Sequence, residues 1–302
     1  MTRAAPRDVA PGSLRAWWLA ARPATLSAGA VPVAIGTAVA YRSGGIHWPA
    51  AGAALVVALS LQVAANFAND VFDFEKGADT TERLGPTRAA QWGLLSPLQL
   101  RAALWTALAI AFAAGSYLAL LAGPLLWLVG VAAMISAVAY TAGPYPLGYN
   151  GLGDVFVVVF FGFVAVGGTA FVQTGEVGAI GWLSALPAGA LATAILVVNN
   201  IRDRHTDALA GKRTLAVRWG RSFAFAEYVG LLAVAYLTPV WLWRTAGVSG
   251  AVLLPLVTLP FASHLVRRVA RDEGKPLNRS LTNTARLMAA FGAIFTLGLM
   301  LG

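Results

Sequence analysis

Two stretches concentrate the chemistry of this chain. The first, NFANDVFDFEKGADT over residues 66–80, carries Asn66, Asn69, Asp70, Asp73, Glu75 and Asp79 in a sequence with only 13 acidic residues. The second is NNIRDRHTDALAGKRT over residues 199–214. On a helix, residues three or four apart share a face. Asn199, Asp203 and Asp207 then form one stripe. Asn66, Asp70 and Asp73 form another, and Asn69 lies beside Asp73. Clustered carboxylates repel one another unless a cation stands between them. Carboxylate and amide oxygens are hard ligands suited to Mg²⁺, which takes one or two carboxylates and fills its shell with water and phosphate oxygens. Two such clusters facing each other could hold a diphosphate through two ions. Arg88, Arg202, Lys212 and Arg213 stand close enough in sequence to neutralise its outer oxygens. The plainer reading, solvated helix ends, fits Glu75, Glu82, Asp272 and Glu273. With no cysteine and three scattered histidines (His47, His205, His264), the chain offers no zinc ligand set.

A third stretch, AYTAGPYPLGYNGLGDVF over residues 139–156, carries Tyr140, Tyr145, Tyr149 and Asp154. Aromatic faces stabilise a passing cation, and phenolic hydroxyls orient polar substrates. An interfacial aromatic belt is the alternative for each tyrosine. The glycines and prolines between them predict a shaped loop, with Asp154 at the entry to the next helix.

The elements that must carry these groups are mostly apolar. Hydrophobic residues make up 58% of the 302 and charged residues 12%, about half the charge of an ordinary soluble domain. Nine apolar segments are long enough to cross roughly 30 Å of hydrocarbon: near 24–41, 48–68, 99–121, 124–142, 152–172, 181–200, 222–241, 249–266 and 285–301. With a cytoplasmic N-terminus, 20 of the 22 Lys and Arg residues fall on the cytoplasmic side, all but Arg42 and Arg244. That asymmetry predicts orientation and an odd number of spans. It brings the regions 69–98, 143–151 and 201–221 to one face. Net charge of +9 is thus divided among loops and does not point to nucleic acid. Residues 1–13 read as a disordered tail, and 14–22 as a short amphipathic helix at the membrane surface, with Trp17 and Trp18 at headgroup level. The spacing Asn69-Asp70-x-x-Asp73 against Asn199-Asn200-x-x-Asp203 is a weak internal repeat. A secondary transporter is the main non-enzymatic reading, but it would favour ionisable groups near the bilayer midplane.

The stretches ARPATL (21–26), NDVFDFEKGADT (69–80), YTAGPYPLGYNGLGD (140–154) and RDRHTDALAGKRTLAVRWG (202–220) together resemble the UbiA superfamily of intramembrane aromatic prenyltransferases. Within it they are most like the branch that transfers a polyprenyl group to 1,4-dihydroxy-2-naphthoate in menaquinone synthesis. The resemblance covers nearly the whole chain. It implies an all-α bundle of nine transmembrane helices around a central cavity, one membrane-embedded domain over 1–302, in a bacterial cytoplasmic (inner) membrane. It implies Mg²⁺ as cofactor, with Asn69 and Asp73 at one ion, Asp203 and Asp207 at the other, and Asp70, Asp79 and Asn199 in support or bound through water. Arg22 would contact an anionic headgroup or the acceptor carboxylate. Tyr140 or Tyr145 would face an allylic cation, and Asp154 would position or deprotonate the acceptor. The implied partners are a polyprenyl diphosphate and the naphthoate, whose carboxylate leaves as CO₂. Four residues after Asp73 stands Gly77, and the next carboxylate is Asp79. This wider spacing resembles the naphthoate branch more than the 4-hydroxybenzoate branch, which remains the alternative.

Overall fold

The computed structural model describes residues 9–77, 84–86 and 88–302. Among them the regular structure is helical. The chain runs α1 (Leu14–Ala21), α2 (Leu26–Arg42), α3 (Trp48–Glu75), α4 (Pro97–Ala122), α5 (Leu125–Ala139), α6 (Gly153–Val157), α7 (Gly168–Thr174), α8 (Ala179–Leu209), α9 (Leu215–Thr245), α10 (Leu259–Arg271) and α11 (Leu277–Met300). A π-helical stretch, Val158–Gly167, joins α6 to α7 as one rod. A 3₁₀ stretch, Gly250–Thr258, leads into α10 in the same way.

Each expected apolar segment appears as helix. Eight are long and apolar enough to cross a membrane. The ninth, α5, has 15 residues, about 22 Å, shorter than the 124–142 predicted. Gly123, at φ +113°, and Pro124 set its start. The glycine-proline loop after Tyr140 ends it. The chain is a multi-pass membrane protein. Its outer surface bears exposed Trp105, Leu120, Leu128, Trp241 and Val257, the apolar coat that lipid requires.

Length explains where the polar clusters sit. Helix α3 has 28 residues and α8 has 31, about 42 and 46 Å. Both outrun the hydrocarbon, so their polar C-terminal turns project beyond it. Helix α8 is the most buried span. Its small residues, including Ala185, Ala188, Gly189 and Ala192, pack against α2, α9, α11 and the π stretch. At the crossing with the π stretch, a Cβ on Gly162 would come within 2.9 Å of the Ala185 carbonyl, and one on Gly189 within 2.9 Å of the Val158 carbonyl. Only glycines permit that approach. The π widening itself had no signal in the sequence.

A second core joins α1, α3 and α4 to the segment 89–95. The predicted disorder of residues 1–13 needs correcting for its last part. Val9 is buried in this core, and the Gly12 N–H donates to the Leu94 carbonyl at 2.8 Å. Residues 1–8 lie outside the described residues. Helix α1 forms as expected, capped by the Ser13 side chain. Trp17 packs edge-on against Phe67 while Trp18 stays exposed.

Candidate active site

The polar end of α3 is pinned on three sides. Asn66 donates to the Ala21 carbonyl at 2.9 Å and to the Thr25 hydroxyl at 3.0 Å. That fixes the turn in which Arg22 adopts a left-handed backbone, φ 51°. Asp70 is buried, and its two carboxylate oxygens accept the N–H groups of Ala89 and Ala90 at 2.9 and 3.1 Å. Asp70 therefore holds the loop just after Arg88 and so sets where Arg88 is delivered. Asp73, one turn on, receives Arg88 Nη2 at 2.9 Å, the Tyr149 hydroxyl at 2.7 Å and Lys212 Nζ at 3.3 Å. One carboxylate thus joins three separate loops.

Lys212 reaches Asp73 because of how α8 ends. Gly211 takes φ +73°. Its N–H donates to the Ala208 carbonyl, and the Lys212 N–H donates to the Asp207 carbonyl at 2.8 Å. This is a Schellman close, which folds the chain back over the last turn. Lys212 Nζ then lies 3.3 Å from Asp73 and 3.9 Å from Asp207. It stands between the two acidic clusters, which the fold brings together as expected.

The 140–153 loop closes the third side. Thr141 donates to the Asn69 side chain, and its carbonyl accepts Lys76 Nζ at 2.6 Å. The ring of Tyr149 carries two ammonium groups, Lys76 at 4.7 Å and Lys212 at 4.6 Å from its centre. The Tyr149 carbonyl accepts the Arg213 N–H at 2.7 Å, and the Asn150 carbonyl accepts Arg218. Tyr140 is wedged by two glycines. A Cβ on Gly148 or Gly153 would come within 2.7 Å of its ring or hydroxyl. Desolvation, then the negative charges of Asp154, Asp207 and Asp73, push the Tyr140 hydroxyl well above its ordinary pKa, so it remains a neutral phenol. Burial lowers the Lys76 pKa and nearby Lys212 adds to this, against the pull of Asp73.

Asp203 is held differently. Arg202, itself buried, binds both its oxygens at 2.8 and 2.5 Å. The same guanidinium donates to Asn199 and to Asn278, each at 2.8 Å. Arg88 and Arg202 thus orient carboxylates. Tyr145 is 59% exposed and stands apart from this cluster. Arg213 enters through its backbone, with its side chain exposed. Asp79 lies outside the described residues.

The sequence profile of the UbiA prenyltransferase family matches residues 30–299. The chain belongs to the UbiA prenyltransferase family. It is 35% identical over 298 residues to the 1,4-dihydroxy-2-naphthoate octaprenyltransferase of Haemophilus influenzae, covering 96% of this chain and 97% of that one. It is 43% identical over 247 residues to the Mycobacterium tuberculosis protein of the same name, covering 81% and 84%. The structure of a UbiA homologue from Archaeoglobus fulgidus bound to DMAPP and Mg²⁺ superposes with a TM-score of 0.64 at 16% identity, covering 92% of this chain and 98% of that one. That likeness shows the UbiA fold.

The donor set suits a hard divalent ion. Asn69, Asp73, Asn199, Asp203 and Asp207 offer only oxygen, and the gap between Asp73 and Asp207 already takes the Lys212 ammonium. Among the described residues no three carboxylate or imidazole groups converge on one point. An ion bound here would hold one or two carboxylates and complete its shell from water and substrate, as Mg²⁺ does.

Asn278, at the start of α11, is a member of this site that no sequence motif marks. Its amide donates to the Leu84 carbonyl at 2.9 Å while its oxygen accepts Arg202. It therefore ties the loop that precedes Arg88 to the end of α8. Asn278→Ala removes both bonds, and the expected result is a roughly tenfold rise in KM for the allylic diphosphate. The acceptor KM should stay within about twofold on the same scale. Steady-state kinetics with each substrate varied in turn checks this.

Proposed function

We propose that this protein transfers a polyprenyl group from its diphosphate to 1,4-dihydroxy-2-naphthoate, with loss of the aromatic carboxylate as CO₂. The product is a demethylmenaquinol, the membrane is the bacterial cytoplasmic membrane, and the N-terminus is cytoplasmic. The observation that carries the reading is the meeting of Asp73 and Asp207 across Lys212 at the ends of two long helices. The names of the bacterial relatives support the naphthoate as acceptor. The Mg²⁺ and DMAPP in the Archaeoglobus fulgidus structure support the metal and the donor class.

In this reading Asn69 and Asp73 serve one Mg²⁺, and Asp203 and Asp207 the other. Asn199 supports the second cluster and Asp70 the loop of Arg88; Asp79 remains a further candidate ligand. Bound Mg²⁺ supplies positive charge to the departing diphosphate. The chain does the rest. Arg88 and Arg202 fix the carboxylates. Lys212 and Lys76 add positive charge at the same mouth, where the phosphate oxygens gather. Tyr140, kept neutral, turns a π face to the allylic cation formed when the carbon–oxygen bond breaks. The apolar bundle keeps water from that cation. Asp154 holds the acceptor hydroxyl so that the ring carbon attacks the allylic cation. Arg22, in its strained turn beside α3, faces the acceptor carboxylate or a lipid headgroup.

Purified protein in lipid, with Mg²⁺ and a short allylic diphosphate, should prenylate the naphthoate and leave 4-hydroxybenzoate unreacted. A chelator should stop the reaction and added Mg²⁺ restore it. Turnover of hydroxybenzoate alone would overturn the acceptor assignment.

A further inference from the structure

Helix α3 carries a polar stripe of which the metal reading uses only the end. Gln62, Asn66, Asn69 and Asp73 follow one another at intervals of four, three and four residues, so they share one face of the helix. Asn69 and Asp73 belong to the diphosphate end, and Asn66 pins the Arg22 turn. Gln62 lies about 16 Å from Asp73 along the axis, in the middle of α3. It is 9% exposed. A polar side chain at that depth of a span is costly and usually serves a function.

Thr25 fixes the orientation of the Gln62 amide. The Thr25 hydroxyl gives its one proton to the Arg22 carbonyl at 2.9 Å. It therefore accepts from its other neighbours, Gln62 Nε2 at 3.1 Å and Asn66 Nδ2 at 3.0 Å. Turning the Gln62 amide over would set two oxygens against each other. Gln62 Oε1 is thus left on the other side of the amide group, enclosed and with no hydrogen-bond partner. A buried acceptor atom without a donor is costly, and the components of the reaction differ in what they can give it. A prenyl chain has no donor. A diphosphate held by metal ions brings only acceptor oxygens. The hydroxyl groups of a phenolic substrate are donors, carried on an apolar ring that can enter the span.

We propose that Gln62 Oε1 receives a hydroxyl group of the aromatic acceptor. This rests on the prenyl-transfer reading and deepens it, because it adds a specificity residue that neither metal cluster uses. An amide oxygen repels a carboxylate, so the acceptor meets Gln62 with a hydroxyl and turns its carboxylate aside. Arg22, whose turn the same Thr25 hydroxyl holds, supplies the positive charge for that carboxylate. A dihydroxynaphthoate has one hydroxyl for Asp154 and a second for Gln62. A ring with a single hydroxyl leaves one of the two without its partner. Gln62 therefore favours the dihydroxylated acceptor.

The test uses the full chain in lipid nanodiscs, as wild type, Gln62→Met and Gln62→Leu. Failure of the naphthoate assignment would show as wild-type inactivity with naphthoate, and the variants would then be read with the phenolic acceptor that works. Gln62→Met keeps the length of the side chain and should raise the acceptor KM about tenfold, the loss expected for one buried hydrogen bond. The KM for the allylic diphosphate should stay within about twofold on that scale. Inhibition by 1-hydroxy-2-naphthoate and by 4-hydroxy-2-naphthoate reads the same bond from the ligand. Both variants should lose affinity for only one of these, the one that keeps the hydroxyl held by Gln62. Unchanged acceptor KM in both variants would overturn the proposal. So would equal losses for both inhibitors and the allylic diphosphate, since that is the mark of a purely structural role. A thermal melt checks that the variants are folded. Should neither fold, the wild type decides through quenching of its tryptophan fluorescence: both monohydroxy compounds binding as tightly as the dihydroxynaphthoate would overturn the proposal, and about tenfold weaker binding of each would support it.

Discussion

Asp73→Asn should lower turnover by a factor of about 10³ or more while the protein still inserts and purifies as a folded membrane protein. The size follows from what meets at this carboxylate. Arg88 reaches it at 2.9 Å, the Tyr149 hydroxyl at 2.7 Å and Lys212 at 3.3 Å. Asparagine keeps the shape but loses the charge, and its amide nitrogen would face donors. Arg88, only 5% exposed, would be left beside a neutral group. Breaking one side of a buried ion pair costs about 3–5 kcal/mol, so some loss of thermal stability should accompany the loss of activity. The fold rests elsewhere, on the core around α8. Membrane extraction, a thermal melt and a prenyl-transfer assay on the same sample separate these effects. Near-normal turnover over a wide range of Mg²⁺ concentrations would remove Asp73 from the metal site.

Lys212→Met carries the second large effect, and its two readouts move in opposite directions. Lys212 stands between Asp73 and Asp207 and rests on the Tyr149 ring. It is a tethered cation at a position suited to a metal ion. When substrate is absent it competes with a divalent ion for these carboxylates. Methionine keeps the length of the side chain and removes the charge. Mn²⁺, used as a spectroscopic stand-in, should therefore bind the substrate-free variant more tightly than the wild type. The KM for the allylic diphosphate should rise by about 10- to 100-fold, since a charge-assisted contact to phosphate is lost. Weaker Mn²⁺ binding in the variant would mean that the ammonium does not occupy a metal position.

The sequence carried the apolar segments and the charge asymmetry clearly, because hydrocarbon imposes length and loops display charge. It also carried the pairing of the two acidic clusters, since Asp73 and Asp207 sit at the polar ends of two segments on one face. It was less informative where tertiary contacts decide. Asp70 looks as much like a ligand as Asp73 on the helical stripe, yet its oxygens go to Ala89 and Ala90. Arg88 and Arg202 read as diphosphate contacts, yet both are buried against carboxylates. Tyr140 and Tyr145 were equivalent in composition. The space left by Gly148 and Gly153 distinguishes them. Asn278, in the first turn of α11, had no motif.

The most direct measurement follows the acceptor carboxyl. Naphthoate labelled in that carbon is incubated with purified protein, an allylic diphosphate and Mg²⁺, and both the labelled CO₂ and the prenylated product are counted. One CO₂ should be released per product formed, with both signals lost in Asp73→Asn and in chelator. A prenylated product that retains the label, or CO₂ release without prenylation, would contradict it.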